Sequence, residues 1–443
     1  MVTAIQEAGE SGQSVKGGLP LPGLVELTIG FSVLLSLAEQ QTPGHAHRVC
    51  YIATRLAEEV RAGPRSLGII YFGALLHDVG DIDGIQVLNL SAAMLGQSAG
   101  LSPEDVQDPE LRSLLIRHCT SGGQIIEKLG LLIAVGDAVR FHHERWDGTG
   151  FPERRAGEDI PLEARIVAAA DATELLLMQG ASSLDARRHI DEDLSKLAGG
   201  QLDPALVPYL VQVLRSDDFW ADLHSDLLRE SLVDISSVME LPLRSESGGQ
   251  VFLRFCEVFA VLADSKGILF RSGHSHRTAQ LAARVAGGLR LDPAELYAAG
   301  LLHDIGLLAV PSQILLKPDI LTLTEMASIR QHPAYAEMAL EEVPGLARIT
   351  KWVLGHHRRP DGHGYPGMSG GDIPLEALVL AAADAYVALT SERPDRRALS
   401  HSDAMQVING GAGTQHDDKV VAVLNALDAD IDVSRRLIAP QGA

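Results

Sequence analysis

The most constraining feature of this sequence is a pattern of histidines and aspartates that occurs twice in the same order. In each half, a lone histidine is followed by a His-Asp pair, a second lone histidine, two adjacent histidines and an aspartate. Each residue of the second set lies 213 to 229 positions after its counterpart, and the surrounding text repeats as well, as in ALLHDVG and GLLHDIG. An internal duplication of about 200 residues is too long for a solenoid unit and predicts two similar domains. The first set is His45, His77, Asp78, His118, His142, His143 and Asp171, and the second is His274, His303, Asp304, His332, His356, His357 and Asp384.

The duplication also predicts the domain boundaries. We expect one domain over residues 20–218, a helical connector and linker over 219–249, and a second domain over 250–435. Residues 1–19, with several Gly and Ser, and residues 436–443 are expected to be tails. The first repeat has a longer stretch between its His-Asp pair and the next histidine, which predicts a loop insertion around Leu88–Gln107.

Composition and charge narrow the class of protein. Leu and Ala recur at helical spacing and alternating segments are rare, so we expect an all-α fold. The net charge of −21 argues against a general nucleic-acid binder and against binding to an anionic membrane surface. Three cysteines argue against a disulfide scaffold, and the apolar run Leu27–Ala38 is too short to cross a bilayer. Because no secretory signal is apparent either, we expect a cytoplasmic protein.

The region before His303 shows why these histidines are expected in the interior. Asp292 followed by Pro293 and Glu295 is typical of a helix start. Apolar residues then recur at helical spacing, and His303 falls on the same stripe. We expect Gly306 to end this helix.

Buried imidazoles and carboxylates are unfavourable unless they are paired or ligated. Imidazole and carboxylate together suit a divalent metal such as Fe, Mn or Zn. Seven such groups exceed what one octahedral ion accepts, so they suit two ions that share the aspartate of the His-Asp pair. Two ions of this kind polarise a phosphoryl group and activate water at neutral pH, which favours a phosphohydrolase.

Both repeats resemble the HD-GYP family, a branch of the HD metal-dependent phosphohydrolases. The resemblance is most specific in the second repeat, and it covers nearly the whole chain. It is carried by the seven residues of each set and by the segments His303-Asp304-Ile305-Gly306, Asp361-Gly362-His363-Gly364-Tyr365-Pro366 and Ile373-Pro374-Leu375.

The resemblance implies an all-helical protein of two tandem HD bundles packed as a pseudo-duplicate. It implies a phosphodiesterase that hydrolyses cyclic di-GMP or a related cyclic dinucleotide with Fe or Mn. It also implies that all fourteen repeated residues are metal ligands, with Asp78 and Asp304 as the bridging, catalytic aspartates. Family members with a third metal carry an acidic residue four positions before the leading histidine. Gln41 and Phe270 stand there in this chain, so we expect two metals in each domain.

The repeats depart from the family near the expected substrate. A lysine usually follows the glycine of the His-Asp segment, whereas this chain has Asp81 and Leu307. Asp81 would place a negative charge near a phosphate. The residues expected to contact substrate are Tyr365, Arg393, Arg396 and Arg397 in the second repeat, and Arg145 and Phe151 in the first. Arginines suit phosphate or a guanine face, although a solvated charged turn also explains those of the second repeat.

Two alternatives follow from these departures. One is a phosphohydrolase that acts on another nucleotide. The other is a metal-containing regulatory or binding module in which one or both repeats do not turn over. In that case the regulatory signal comes from a protein signalling partner, from a second copy of the chain in a homodimer, or from one repeat acting on the other.

Overall fold

A computed structural model describes residues 23–38, 44–80, 109–179, 183–225, 227–243, 248–266, 273–317, 319–366, 373–392 and 397–427. These ranges contain helices, turns and three isolated bridges but no β-strand, which confirms the all-α prediction. None of their helices is long and apolar enough to cross a membrane. The predicted tails and the predicted insertion around Leu88–Gln107 lie outside the described residues.

The two halves use the same order of helices. The first half contains α1 (Leu24–Ala38), α2 (His45–Glu59), α3 (Pro64–Leu75), α4 (Pro109–Lys128), α5 (Ile133–Phe141), α6 (Leu162–Gln179), α7 (Ser183–Leu197) and α8 (Val207–Leu214), with a 3-10 turn at Gly157–Asp159. Two short helices follow, α9 (Asp217–Leu223) and α10 (Leu228–Ser236). The second half contains α11 (Gly248–Ser265), α12 (His274–Leu289), α13 (Pro293–Leu302), a 3-10 turn (Ile305–Ala309), α14 (Ser312–Leu315), α15 (Leu323–Ile329), α16 (His332–Glu341), α17 (Ala347–Gly355), α18 (Leu375–Leu389), α19 (His401–Gly410) and α20 (Asp418–Ala426).

Local sequence signals explain the start of α13. The Asp292 carboxylate accepts hydrogen bonds from the backbone N–H groups of Ala294 and Glu295, and Pro293 is the first residue of α13, as predicted. The prediction that Gly306 ends this helix is wrong. The helix ends at Leu302, and Gly306 lies in the following 3-10 turn.

The two repeats pack against each other through α1. This helix precedes the leading histidine of the first repeat, but it also packs on α16 and on the 305–309 turn of the second repeat. The ring of Phe31 in α1 stacks on Phe259 of α11 at 4.1 Å. Because α11 holds the equivalent place in the second repeat, corresponding helices meet at the joint, and the predicted pseudo-duplicate packing is confirmed.

The connector packs along the first repeat rather than spanning open space. The backbone N–H of Leu132 donates to the carbonyl of Pro242, and that of Glu240 donates to the carbonyl of Pro64. Arg229 of α10 pairs with Glu342 just after α16, so the connector also holds the second repeat. The domain boundaries at 20–218, 219–249 and 250–435 stay a prediction.

Candidate metal centres

In each repeat, several helices bring the predicted ligands together at one buried site. The leading histidines are the first residues of α2 and α12, and the His-Asp pairs come just after α3 and α13. The adjacent histidine pairs directly follow α5 and α17, and the last aspartates lie inside α6 and α18. Twelve of the fourteen residues are buried and the other two, His357 and Asp384, are intermediate; the buried ones are His45, His77, Asp78, His118, His142, His143, Asp171, His274, His303, Asp304, His332 and His356.

In the first repeat, the ligand atoms form two groups that share one aspartate. His45, His77 and Asp78 make the first group, and Asp78 with the remaining three histidines makes the second. The Asp78 Oδ2 atom lies 2.7 Å from His77 Nε2, and its Oδ1 atom lies 3.8 Å from both His118 Nε2 and His142 Nε2. Asp171 joins through its Oδ1 atom, 3.5 Å from His45 Nε2. We call these seven residues the first cluster.

The second repeat forms the same arrangement around Asp304. Its Oδ2 atom lies 3.3 Å from His303 Nε2, and its Oδ1 atom lies 3.2 Å from His332 Nε2. Asp384 Oδ1 lies 3.1 Å from His274 Nε2. Asp304 again belongs to two groups, one with His274 and His303 and one with the other three histidines. We call these seven residues the second cluster.

Backbone carbonyls orient half of the ten cluster imidazoles. A histidine at a helix end can donate its Nδ1–H to the carbonyl three residues earlier, which leaves the Nε2 lone pair to face the cluster. Five histidines do so, at 2.5–2.8 Å: His77 to Ala74, His142 to Val139, His303 to Gly300, His332 to Ile329 and His356 to Val353. The helices therefore supply both the position and the tautomer of these side chains.

The electrostatics separate the histidines of each cluster into two kinds. Burial lowers the pKa of His77, but the Asp78 carboxylate outweighs it and raises that pKa to about 9. Burial and Asp304 act in the same way on His303, whose pKa is also raised to about 9. Burial and neighbouring histidines lower the pKa of His142 to about 3 and that of His357 to about 4. Such neutral imidazoles beside an ionised aspartate are in the protonation state that metals require.

The residues fit a divalent metal on the evidence of their buried atoms. Among the described residues, the Nε2 atoms of His142 and His143 are buried and have no hydrogen-bond partner. Both belong to the first cluster, and unsatisfied buried acceptors of this kind are rare in native proteins. A metal ion at the clusters would satisfy them, and a set of imidazoles and carboxylates suits such an ion.

In each repeat, one glycine lets the backbone around the shared aspartate approach the helix of the next histidine. A side chain at Gly80 would collide with the carbonyl oxygen of His118, and one at Gly306 would collide with the carbonyl oxygen of His332. Both glycines follow a His-Asp pair by two residues. They let the turn that carries the shared aspartate press against the helix that carries the next histidine.

The residues predicted to contact substrate lie in different settings. The Tyr365 ring stacks on His357 at 4.6 Å, and the Phe151 ring is buried 5.3 Å from His143. Arg145 lines a small pocket with His142 and Asp171. Arg397 is exposed, while Arg393 and Arg396 lie outside the described residues, as does Asp81. Their contact with substrate stays a prediction.

Three residues near the clusters were missed by sequence reasoning. Glu174 accepts a hydrogen bond from His45 and pairs with Arg48. Its position three residues after Asp171, on the same face of α6, was the available signal. Arg359 is the counterpart of Arg145, and each binds the aspartate two residues later.

Comparison with known proteins agrees with this geometry. A family model described as HD domain matches residues 43–176, and another with the same description matches residues 258–420. The chain therefore belongs to the HD-domain family and carries two such domains in tandem.

Relatives with known names narrow the class further. The chain is 26% identical over 90% of its length to a Vibrio cholerae protein named 3′3′-cGAMP-specific phosphodiesterase 3, of which 94% is covered. A crystal structure of a cyclic GMP-AMP specific phosphodiesterase from V. cholerae has a TM-score of 0.64 and 25% identity, covering 91% of this chain and 97% of that one. A Thermotoga maritima protein named cyclic di-GMP phosphodiesterase is 34% identical over 37% of this chain and 46% of its own length. The protein is thus an HD-GYP-like hydrolase that acts on phosphodiester bonds.

Proposed function

We propose that this protein hydrolyses a cyclic dinucleotide, with 3′3′-cGAMP as the first substrate to test and cyclic di-GMP as the second. The observation that carries this proposal is a pair of buried clusters, each built around one shared aspartate, in a chain that matches a relative named for 3′3′-cGAMP over most of both lengths. The sequence alone favoured cyclic di-GMP, and the names of the relatives with the longest matches favour the hybrid dinucleotide.

The fourteen cluster residues would hold two divalent ions in each domain, Fe or Mn being expected. When bound, such ions polarise the phosphoryl group and lower the pKa of water. Asp78 and Asp304 would be shared between the ions of their own cluster, because each belongs to both groups of ligand atoms. Arg145 lies beside the first cluster, where its guanidinium suits a phosphate oxygen.

The setting of Leu307 favours a substrate other than the usual one. Its side chain is 1% exposed and packs with Val310 and Leu315, so this position offers no charge to a phosphate. The family lysine is therefore not replaced by another cation at this position. A nucleotide that depends less on that contact than cyclic di-GMP does is therefore favoured.

Turnover by paired variants tests the proposal. Asp304→Asn and Asp78→Asn keep the shape of the side chain but remove the shared charge from one cluster at a time. We expect Mn(II)- or Fe(II)-loaded protein to convert 3′3′-cGAMP to linear product, with a loss of at least about a hundredfold in the variant of the working cluster, since an electrostatic contact in a buried site is worth that much.

Asp203→Asn is the matched control, because it also neutralises a buried aspartate but one that pairs with Arg165 rather than with a cluster histidine. It should retain turnover. No product from metal-loaded wild-type protein with either dinucleotide, or equal turnover in all three variants, would contradict the proposal and favour a regulatory module.

A further inference from the structure

We infer that Glu174, held in place by Arg48, is a positioning residue for His45 that strengthens the hold of the first cluster on metal ions. The inference rests on the proposal that both clusters bind metal ions. It concerns a position at which the two repeats differ although their predicted ligands are the same.

The leading histidine has a side-chain partner from another helix. His45 is the first residue of α2, and Gly44 before it has a left-handed backbone with φ of 83°. Carbonyls of the preceding turn orient His77 and His142, whereas a side chain orients His45. Its Nδ1 atom instead lies 2.7 Å from Glu174 Oε2. A carboxylate in this place fixes the tautomer, leaves Nε2 for the ligand site and makes the imidazole a stronger ligand.

Arg48 completes the arrangement from the same helix. Its Nε and Nη2 atoms donate to Glu174 Oε1 at 2.8 and 2.6 Å, while the other carboxylate oxygen faces His45. The Glu174 residue is 1% exposed. A buried carboxylate with a guanidinium on one oxygen and an imidazole N–H on the other is satisfied and rigid, which lets it hold the ring of His45.

The second repeat keeps the arginine but not the carboxylate. Arg277 is the counterpart of Arg48, and Val387 stands at the position of Glu174. Val387 is 4% exposed, and Arg277 donates to the Ser391 hydroxyl at 3.0 Å instead. An aliphatic side chain accepts no hydrogen bond, so α18 offers His274 no carboxylate at this position.

A chelator series on the full-length protein tests the inference. The protein is loaded with Mn(II), exposed to rising EDTA and analysed for bound metal by mass spectrometry. The Asp78→Asn and Asp304→Asn variants assign each release step to its cluster. We expect Glu174→Gln to weaken the first cluster by about ten- to a hundredfold, the usual effect of removing the partner of a ligating histidine.

Two further variants complete the test: one that adds a carboxylate to the second repeat and one that serves as a control. Val387→Glu places a carboxylate beside Arg277 and should tighten retention in the second cluster, whereas Asp203→Asn removes a buried arginine–carboxylate pair that involves no cluster histidine and should leave release unchanged. Because the loss and the gain concern different repeats, either one decides the question if the other variant does not fold.

The outcomes separate this inference from the proposed function. Release from Glu174→Gln at the wild-type EDTA concentration would overturn the inference, as would equal weakening in Asp203→Asn. Wild-type protein that binds no Mn(II) would overturn both proposals. Normal binding with the expected Glu174→Gln effect, but without turnover of either dinucleotide, would leave the inference standing and contradict the proposed function.

Discussion

Single residues decide how closely the parts of each cluster approach one another. At Gly306 the backbone of the turn touches the start of α16, and a Cβ atom there would lie 2.8 Å from the Ala336 nitrogen as well as against the His332 carbonyl. Neither backbone atom can rotate away, as the end of a flexible side chain can. The absence of a side chain at this position is therefore a requirement of the second cluster rather than of a helix end.

Gly306→Ala should separate the shared aspartate from His332. We expect a loss of roughly 1–3 kcal/mol in the free energy of unfolding, as for other overpacked sites, together with weaker Mn(II) binding by the second cluster. Chemical denaturation and metal titration measure the two effects. Gly287→Ala is the control, because nothing lies within 4 Å of its added methyl group inside α12. Equal stability of the two variants would show that the contact at Gly306 does not matter.

At the scale of elements, short sequence signals place the helices that carry the ligands. Asp292 caps α13 through two backbone N–H groups, at 2.9 and 3.2 Å from its Oδ1 atom. This helix ends at Leu302, directly before His303, so its start and its length together position the His-Asp pair. The cap was predictable because Asp, Pro and Glu have separate preferred places in the first turn.

Asp292→Ala should cost about 1 kcal/mol of unfolding free energy, because two backbone donors lose their acceptor. Asp292→Asn should cost much less, since an asparagine caps a helix nearly as well. The two denaturation midpoints measure the difference. If alanine and asparagine lower the midpoint equally, the charge of Asp292 matters and not its cap.

At the scale of the whole molecule, one helix joins the two repeats. α1 packs on α2 and α3 of its own repeat and on α16 of the other. The repeats approach each other closely at Gly30, where a Cβ atom would lie 2.5 Å from the Ala339 carbonyl oxygen and 2.7 Å from Val343 Cγ2. The two repeats therefore pack against each other through the apolar contacts of α1.

Gly30→Ala should open this joint. We expect a lower thermal midpoint, by an amount equivalent to roughly 1–3 kcal/mol, and faster cleavage of the joint by added protease. Gly410→Ala, at the end of α19 with nothing within 4 Å of the added methyl group, should change neither quantity. Identical behaviour of the two variants would mean that the repeats do not depend on this contact.

The sequence by itself determined the class of fold and the membership of both clusters. Helical periodicity is local, and the repeated order of His and Asp is visible without coordinates because these residue types are uncommon on buried faces. The tertiary structure brought all fourteen of those residues together in two groups of seven, as the duplication had predicted.

Only the tertiary structure decided how those residues are held. The contact of Glu174 with His45 joins residues 129 positions apart, and α1 crosses to the repeat that does not contain it. Gly306 looked like a helix end because glycine is common there, yet its role depends on the distance to α16. Such features follow from the relative placement of helices, which is set by packing over the whole core and leaves no periodic or local pattern in the sequence.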